Sequence, residues 1–265
     1  LVQDLMNTDF RQEFDGKYIL YCMIVTSLCF FATWALAKAF LKDKTLVPEL
    51  VQGSFRGSAA VLGTAFVLNM YGDTGMVPLM IIGAVPLYNI YSVIVLTIES
   101  PRREEIEGSP VKNTIKGIAT NPIIIGIVVG LLLSIFRVDF PLMIDNTIGN
   151  IAKMATPLAL LAIGGSFEFS NALKKMGPAV TGSAIKLVIM AAVFLPVAVW
   201  LGYRDAKLMA LVIMLGSPTT PSCYIMAKNM KCDGTLTSSM VVITTMMSAF
   251  TITLIVFVLR TLGYL

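Results

Sequence analysis

The sequence contains no histidine, and only 14% of its residues are charged, against about 25% in ordinary globular chains. Lacking histidine, the chain has lost the usual general base, the commonest metal ligand and the partner of a Ser-His nucleophile. A carboxylate-only enzyme would need paired Asp or Glu at membrane depth, yet most of the 16 acidic residues fall in loops. An enzyme is therefore not expected, nor a metal centre. Cysteine is equally sparse. Cys22, Cys29, Cys223 and Cys232 lie in or beside apolar runs without CxxC spacing, which excludes a disulfide scaffold and favours small buried hydrophobes.

What is abundant is apolar: 56% of the residues are hydrophobic, arranged in long runs. A bilayer core takes roughly 20 residues of helix, and eight runs approach that length. They are Lys17–Leu41, Val51–Tyr71, Met76–Ile98, Pro122–Phe136, Ile148–Phe167, Val180–Leu201, Lys207–Lys228 and Thr237–Leu259. The expected fold class is thus an all-α polytopic membrane protein in a lipid bilayer. The net charge of +4 sits in short loops and reports orientation, so no nucleic-acid partner is expected. With the polar segment 99–117 placed in the cytoplasm, most assignable Lys and Arg share its side, including Lys38, Lys42, Arg102, Arg103, Lys174 and Lys175. The positive-inside rule then puts the C-terminus outside. The first residues, LVQDLMNTDFRQEFDGK, are too polar to span and lack the pattern of a signal peptide.

Two short turns repeat. YGDTGM at Tyr71–Met76 and KCDGTL at Lys231–Leu236 each join a span with an interrupted middle to an uninterrupted one. The first three spans therefore correspond to the last three, and the second half has two further spans ahead of its three. The repeat unit would be five helices, and an odd unit in tandem inserts with opposite topology, the inverted-repeat plan of many secondary transporters. Residues 1–98 would be three helices of the first repeat, 99–117 a cytoplasmic linker and 118–265 the complete second repeat. On this reading two helices are expected upstream of Leu1.

The interruptions mark the candidate site. In IMLGSPTTPSCYIMAKNM the break falls at mid-span, and Pro218 and Pro221 each remove a backbone donor. Ser217 and Thr220, each ahead of a proline, are expected N-caps, so that a half-helix starting near Pro221 offers its positive end to an anion. Thr219, Thr220 and Ser222 are expected to face what enters, with Tyr224 less than a turn away. In the other interrupted span, Gly57 and Gly63 could open the backbone beside Ser58. Arg56 there either snorkels to the cytoplasmic surface or faces a cavity and pairs with a carboxylate. Asn89, one turn after Pro86, makes either an interhelical hydrogen bond or a substrate contact. Lys153 and Lys186 are expected to snorkel.

The segments TNPIIIGIVVGLLLS, ATPLALLAIGGSFEF and GSPTTPSCYIMAKNMKCDGTLTSSMVVITTMMSAFT resemble the auxin efflux carrier family, which includes bacterial malate-type permeases and plant auxin carriers. The resemblance implies two inverted five-helix repeats, whose broken fourth and ninth helices cross at the substrate site. It also implies small organic anions as substrates, such as malate-type dicarboxylates, an elevator-like movement, and a multi-pass protein of a bacterial cell membrane. It makes a homodimer plausible. Where relatives often carry Asn and a Gly-Leu-Pro run in the first crossover, this chain has Ser58 and LGTA at Leu62–Ala65, so no particular anion carries over. No cofactor is implied, and the coupling ion is left open between Na+, H+ and none. The other reading from the residues is a membrane sensor or scaffold that binds a ligand without moving it.

Overall fold

A computed structural model describes residues 15–73, 75–99, 119–120, 122–136, 140–165 and 169–265. Among these residues the regular structure is helical, with no strand. The expected linker, 99–117, lies outside the described residues except for Glu99.

The first helix, α1 (Gly16–Phe40), is followed by two short ones, α2 (Val47–Phe55) and α3 (Ala59–Tyr71), and then by α4 (Val77–Ile98). Next come α5 (Pro122–Ile135), α6 (Leu142–Gly165) and a connecting α7 (Phe169–Lys174). The last part is α8 (Met176–Trp200), two further short helices α9 (Asp205–Gly216) and α10 (Ser222–Asn229), and the long α11 (Thr235–Thr261). Five of these, α1, α4, α6, α8 and α11, are long and apolar enough to cross a membrane by themselves. The sixth run starts four residues earlier than expected, at Met176, and the fifth starts at Leu142 and gains Asp145 in its first turn.

Physical chemistry sorts these helices by burial. All nine residues of α2 are buried, as are Leu208–Gly216 of α9, so both short helices run through the centre. The buried stretch of α9, LMALVIMLG, is apolar on all sides, as a core helix should be, whereas α2 takes Glu49, Gln52 and Ser54 inside with it. By contrast α11 leaves Met246, Phe250, Leu254 and Phe257 exposed along one side, and α1 does so with Leu20, Leu28 and Phe31. That is the distribution of a protein whose outer shell meets hydrocarbon.

Close approach around α2 depends on small residues. A Cβ on Gly53 would come within 2.8 Å of the Met240 side chain, and one on Gly182 within 2.6 Å of Met240 Cε and 2.8 Å of Leu50 Cδ1. The carboxylate of Glu49 then ties α2 to α11. Its Oε1 accepts from Gly234 N–H at 2.9 Å, and its Oε2 from the N–H and hydroxyl of Thr237 at 2.9 and 3.0 Å. A buried carboxylate is affordable there because it meets the orphan N–H groups and positive end of α11. Gly234, at φ 78°, supplies the left-handed turn that starts this helix.

Two expectations about the interruptions change. Gly63 does not open the backbone, for it lies inside α3, where its missing side chain admits Val77 and Met80 of α4. The hydroxyl caps of Ser217 and Thr220 are not formed either. Pro221 itself precedes α10 without a side-chain cap, and the Thr220 and Ser222 hydroxyls pair with each other at 3.2 Å.

Candidate functional site

Each interruption follows from its residues. Ser217 stands before Pro218 and is extended, at φ −67° and ψ 149°, as the proline ring requires of its predecessor. Pro218 has no N–H, so Met214 loses the helical partner of its carbonyl, and α9 ends at Gly216. The first interruption contains no proline. Here Arg56 is extended, at φ −90° and ψ 129°, ending α2, and α3 begins again after Ser58.

The two interruptions touch. Ser58 N–H donates to the Pro218 carbonyl at 2.9 Å, and the Thr219 hydroxyl donates to the Gly53 carbonyl at 2.7 Å. Thr219 N–H donates to the Thr244 hydroxyl of α11 at 3.0 Å. Gly57 is the point of closest approach: a Cβ there would collide with Ser217 Oγ and stand 2.9 Å from Lys186 Nζ. A side chain there would have to displace the Ser217 hydroxyl and the Lys186 ammonium.

Arg56 does not snorkel. It is buried at 4% exposure, because α2 begins at Val47 and carries it inward rather than toward the surface. Its Nη2 donates to Ser222 Oγ at 2.9 Å, and its Nη1 to Met226 Sδ at 2.8 Å, with Ser92 Oγ at 3.5 Å. No carboxylate among the described residues meets it. Lys186 does not snorkel either. It is 1% exposed, and its ammonium donates to the carbonyls of Met214 and Leu215, both at 3.2 Å. It sits on a π-helical turn of α8, Ile185–Ile189, a feature often found at functional sites. Lys153 is exposed on α6.

Of the residues singled out from the sequence, Arg56, Gly57, Ser58, Ser217, Pro218, Thr219, Thr220 and Ser222 come together. Ser58, Thr220, Pro221 and Ser222 are half-buried, and Ser222 reaches the Arg56 guanidinium. Thr219 is buried, with both its hydroxyl and its N–H engaged inside the protein. Asn89 is buried within α4 and makes no interhelical bond. Its Nδ2 donates to the Val85 carbonyl at 2.8 Å, and its Oδ1 has no partner. The Tyr224 ring packs against Gly234, Ile163 and Val241. Ser92 and Met226, which hold the guanidinium, carried no sequence signal. Lys186 could have been suspected only from its place within an apolar run.

The arrangement brings two buried cations, hydroxyls and two interrupted backbones into one place. No curated protein matches the chain. The model of a family described as membrane transport protein matches residues 6–256. The chain belongs to that family, the membrane transport proteins of the auxin efflux carrier type.

Proposed function

We propose that this chain is a secondary transporter or facilitator of small organic anions, carboxylates of the malate type, and that its anion site lies where the interruptions meet. The observation that carries the proposal is Arg56. A guanidinium offers five donors and no acceptor, and taking it out of water is costly unless an anion or several acceptors meet it. Here it is buried, held by two hydroxyls, one of them at 3.5 Å, and a thioether, and faces no carboxylate among the described residues. A substrate carboxylate complements it bidentately. The hydroxyls of Ser58, Thr220 and Ser222 complete the contacts, and the N-terminal end of α10 adds its dipole. Thr219 positions the two interruptions instead of touching substrate.

In the same reading, α1 to α4 and α8 to α11 are equivalent halves of an inverted repeat, each with one long helix, one interrupted pair and a second long helix. The interrupted pairs are the crossover helices. An elevator-like movement carries the two crossover helices together, and the Glu49 link between α2 and α11 supports their moving with α11. The chain then lies multi-pass in the cell membrane with its C-terminus outside.

Uptake of labelled dicarboxylates into proteoliposomes tests the proposal, with wild type compared with Arg56→Gln at matched reconstitution. Wild-type flux that falls about a hundredfold in Arg56→Gln, the loss expected for one charge-assisted pair, supports it. Flux undiminished in a folded Arg56→Gln would overturn the placement of the site. Saturable binding without flux would overturn transport in favour of a sensor.

A further inference from the structure

The second buried cation has a role of its own. Backbone chemistry around Lys186 explains where its ammonium lies. In an unbroken helix the carbonyl of Met214 would accept from residue 218, which is a proline with no N–H. The carbonyl of Leu215 would accept from Thr219, whose N–H is diverted to the Thr244 hydroxyl. The break therefore frees two neighbouring carbonyls at the negative, C-terminal end of α9. Those are the two that receive the Lys186 ammonium, each at 3.2 Å.

A third oxygen stands nearby. The buried hydroxyl of Ser217 has no hydrogen-bond partner, and it and the ammonium crowd the same empty position beside Gly57. Freed carbonyls at a half-helix C-terminus, with a hydroxyl alongside, are the oxygen set with which broken-helix transporters hold a sodium ion. Lys186 reaches this set because the π-helical turn inserts an extra residue into α8, with Met190 N–H bonding back to the Ile185 carbonyl. A glycine at 57 leaves the room that the ammonium fills.

We propose that the Lys186 ammonium is a tethered cation filling the cation site of the second interruption, so that this chain neither binds nor requires sodium there. The charge that a co-transported ion would bring is supplied by the protein itself, and it stabilises the interrupted α9 without leaving with substrate. The inference concerns cation binding alone and stands whether or not the anion reading holds.

Binding of radioactive sodium to the purified full chain, with choline as the replacement cation, tests it. Wild type should bind no sodium saturably, and its melting temperature should not change when choline chloride is exchanged for sodium chloride at equal ionic strength. Lys186→Ala empties the site, and roughly tenfold more saturable sodium binding than in wild type is expected, with a sodium-specific rise in melting temperature. Adding Ser217→Ala to that variant should remove the gain. Saturable sodium binding by wild type, or a sodium-specific rise in its melting temperature, would overturn the inference without recourse to any variant. So would a folded Lys186→Ala that gains no sodium binding. Should Lys186→Ala fail to fold, Lys186→Gln, which is neutral and one atom shorter but keeps most of the buried stem, carries the same expectation.

Discussion

The two interruptions meet at one point but are made by opposite means. The second is forced open by proline: Pro218 deletes a donor and fixes Ser217 in an extended conformation, so α9 must stop whatever surrounds it. The first has no residue that forbids a helix. Arg56 to Ser58 leave helical geometry because what they gain outside it is specific to this fold: the Arg56 bond to Ser222, the Ser58 bond to the Pro218 carbonyl and the close passage at Gly57. One break is local and autonomous, and the other is tertiary and borrowed from its neighbour. Their contributions differ accordingly, since the first brings a cation and an N–H while the second brings carbonyls and hydroxyls.

This contrast is broken most severely at Gly57. A valine there would place its Cβ against Ser217 Oγ and Lys186 Nζ, both on buried residues of neighbouring helices. Overpacking of this kind costs about 1–3 kcal/mol, and a crowded buried ammonium puts Gly57→Val at the upper end. Thermal unfolding in detergent should show the loss, and a valine accommodated without cost would mean that the helices do not pass this closely.

The next effect is expected at Thr219, the staple between the two breaks. Thr219→Val keeps the shape but removes the hydroxyl donor to the Gly53 carbonyl, leaving that acceptor unsatisfied on α2. The expected loss is about 1–2 kcal/mol, the cost of orphaning one buried polar group. Thr220→Val, on the half-buried rim, should lose less than half of that in the same melting experiment. Equal losses would assign Thr219 to the rim rather than to the frame.

A smaller effect separates the local break from the borrowed one. Pro218→Ala returns an N–H to residue 218, yet the Met214 carbonyl already accepts from Lys186 and, at 3.3 Å, from the Tyr88 hydroxyl. Stability should change by less than about 1 kcal/mol, because a replaced hydrogen bond yields little net gain. A rise of several kcal/mol would show that α9 is held broken against strong helical preference.

The same contrast decides what the sequence could disclose. Proline writes its consequence into the chain, so the interruption at 217–221 and the start of a helix near 221 are legible from residue order. The long runs are legible too, since hydrocarbon demands length and apolarity. A break without proline leaves only a choice between snorkelling and burial, and that choice depends on where α2 begins. Its start at Val47, four residues ahead of the apolar run, sends Arg56 inward. Lys186 was hidden for a different reason. The π-helical turn that aims it has no composition of its own, and one of the two carbonyls it meets, that of Leu215, becomes free only through Thr244, far along the chain. Glu49 was equally hidden, its value as a link lying in N–H groups of α11 that no local pattern connects to it.

The smallest effect is expected at the far end of the proline-broken helix, where α9 is tied to α1 from outside the spans. Asp15 Oδ1 accepts from Tyr18 N–H at 3.1 Å, capping α1, while its Oδ2 meets Lys207 Nζ of α9 at 2.9 Å. The Lys207 ammonium, aided by the Tyr18 N–H, holds the Asp15 carboxyl below its ordinary value of 3.8. A carboxyl depressed in the folded state contributes stability that is complete above the unfolded value and is lost as pH falls through the folded one. Both side chains are partly open to water, at 38% for Lys207 and 27% for Asp15, so solvent screening holds the contribution to about 0.5 kcal/mol. Wild type should therefore lose slightly more melting temperature than Asp15→Asn when pH is lowered from about 5 to about 3, and added salt should narrow the gap. Parallel curves at low salt would mean that the Asp15–Lys207 pair contributes nothing and that this end of α9 is held by the Tyr18 hydroxyl on the Lys207 carbonyl, at 3.0 Å.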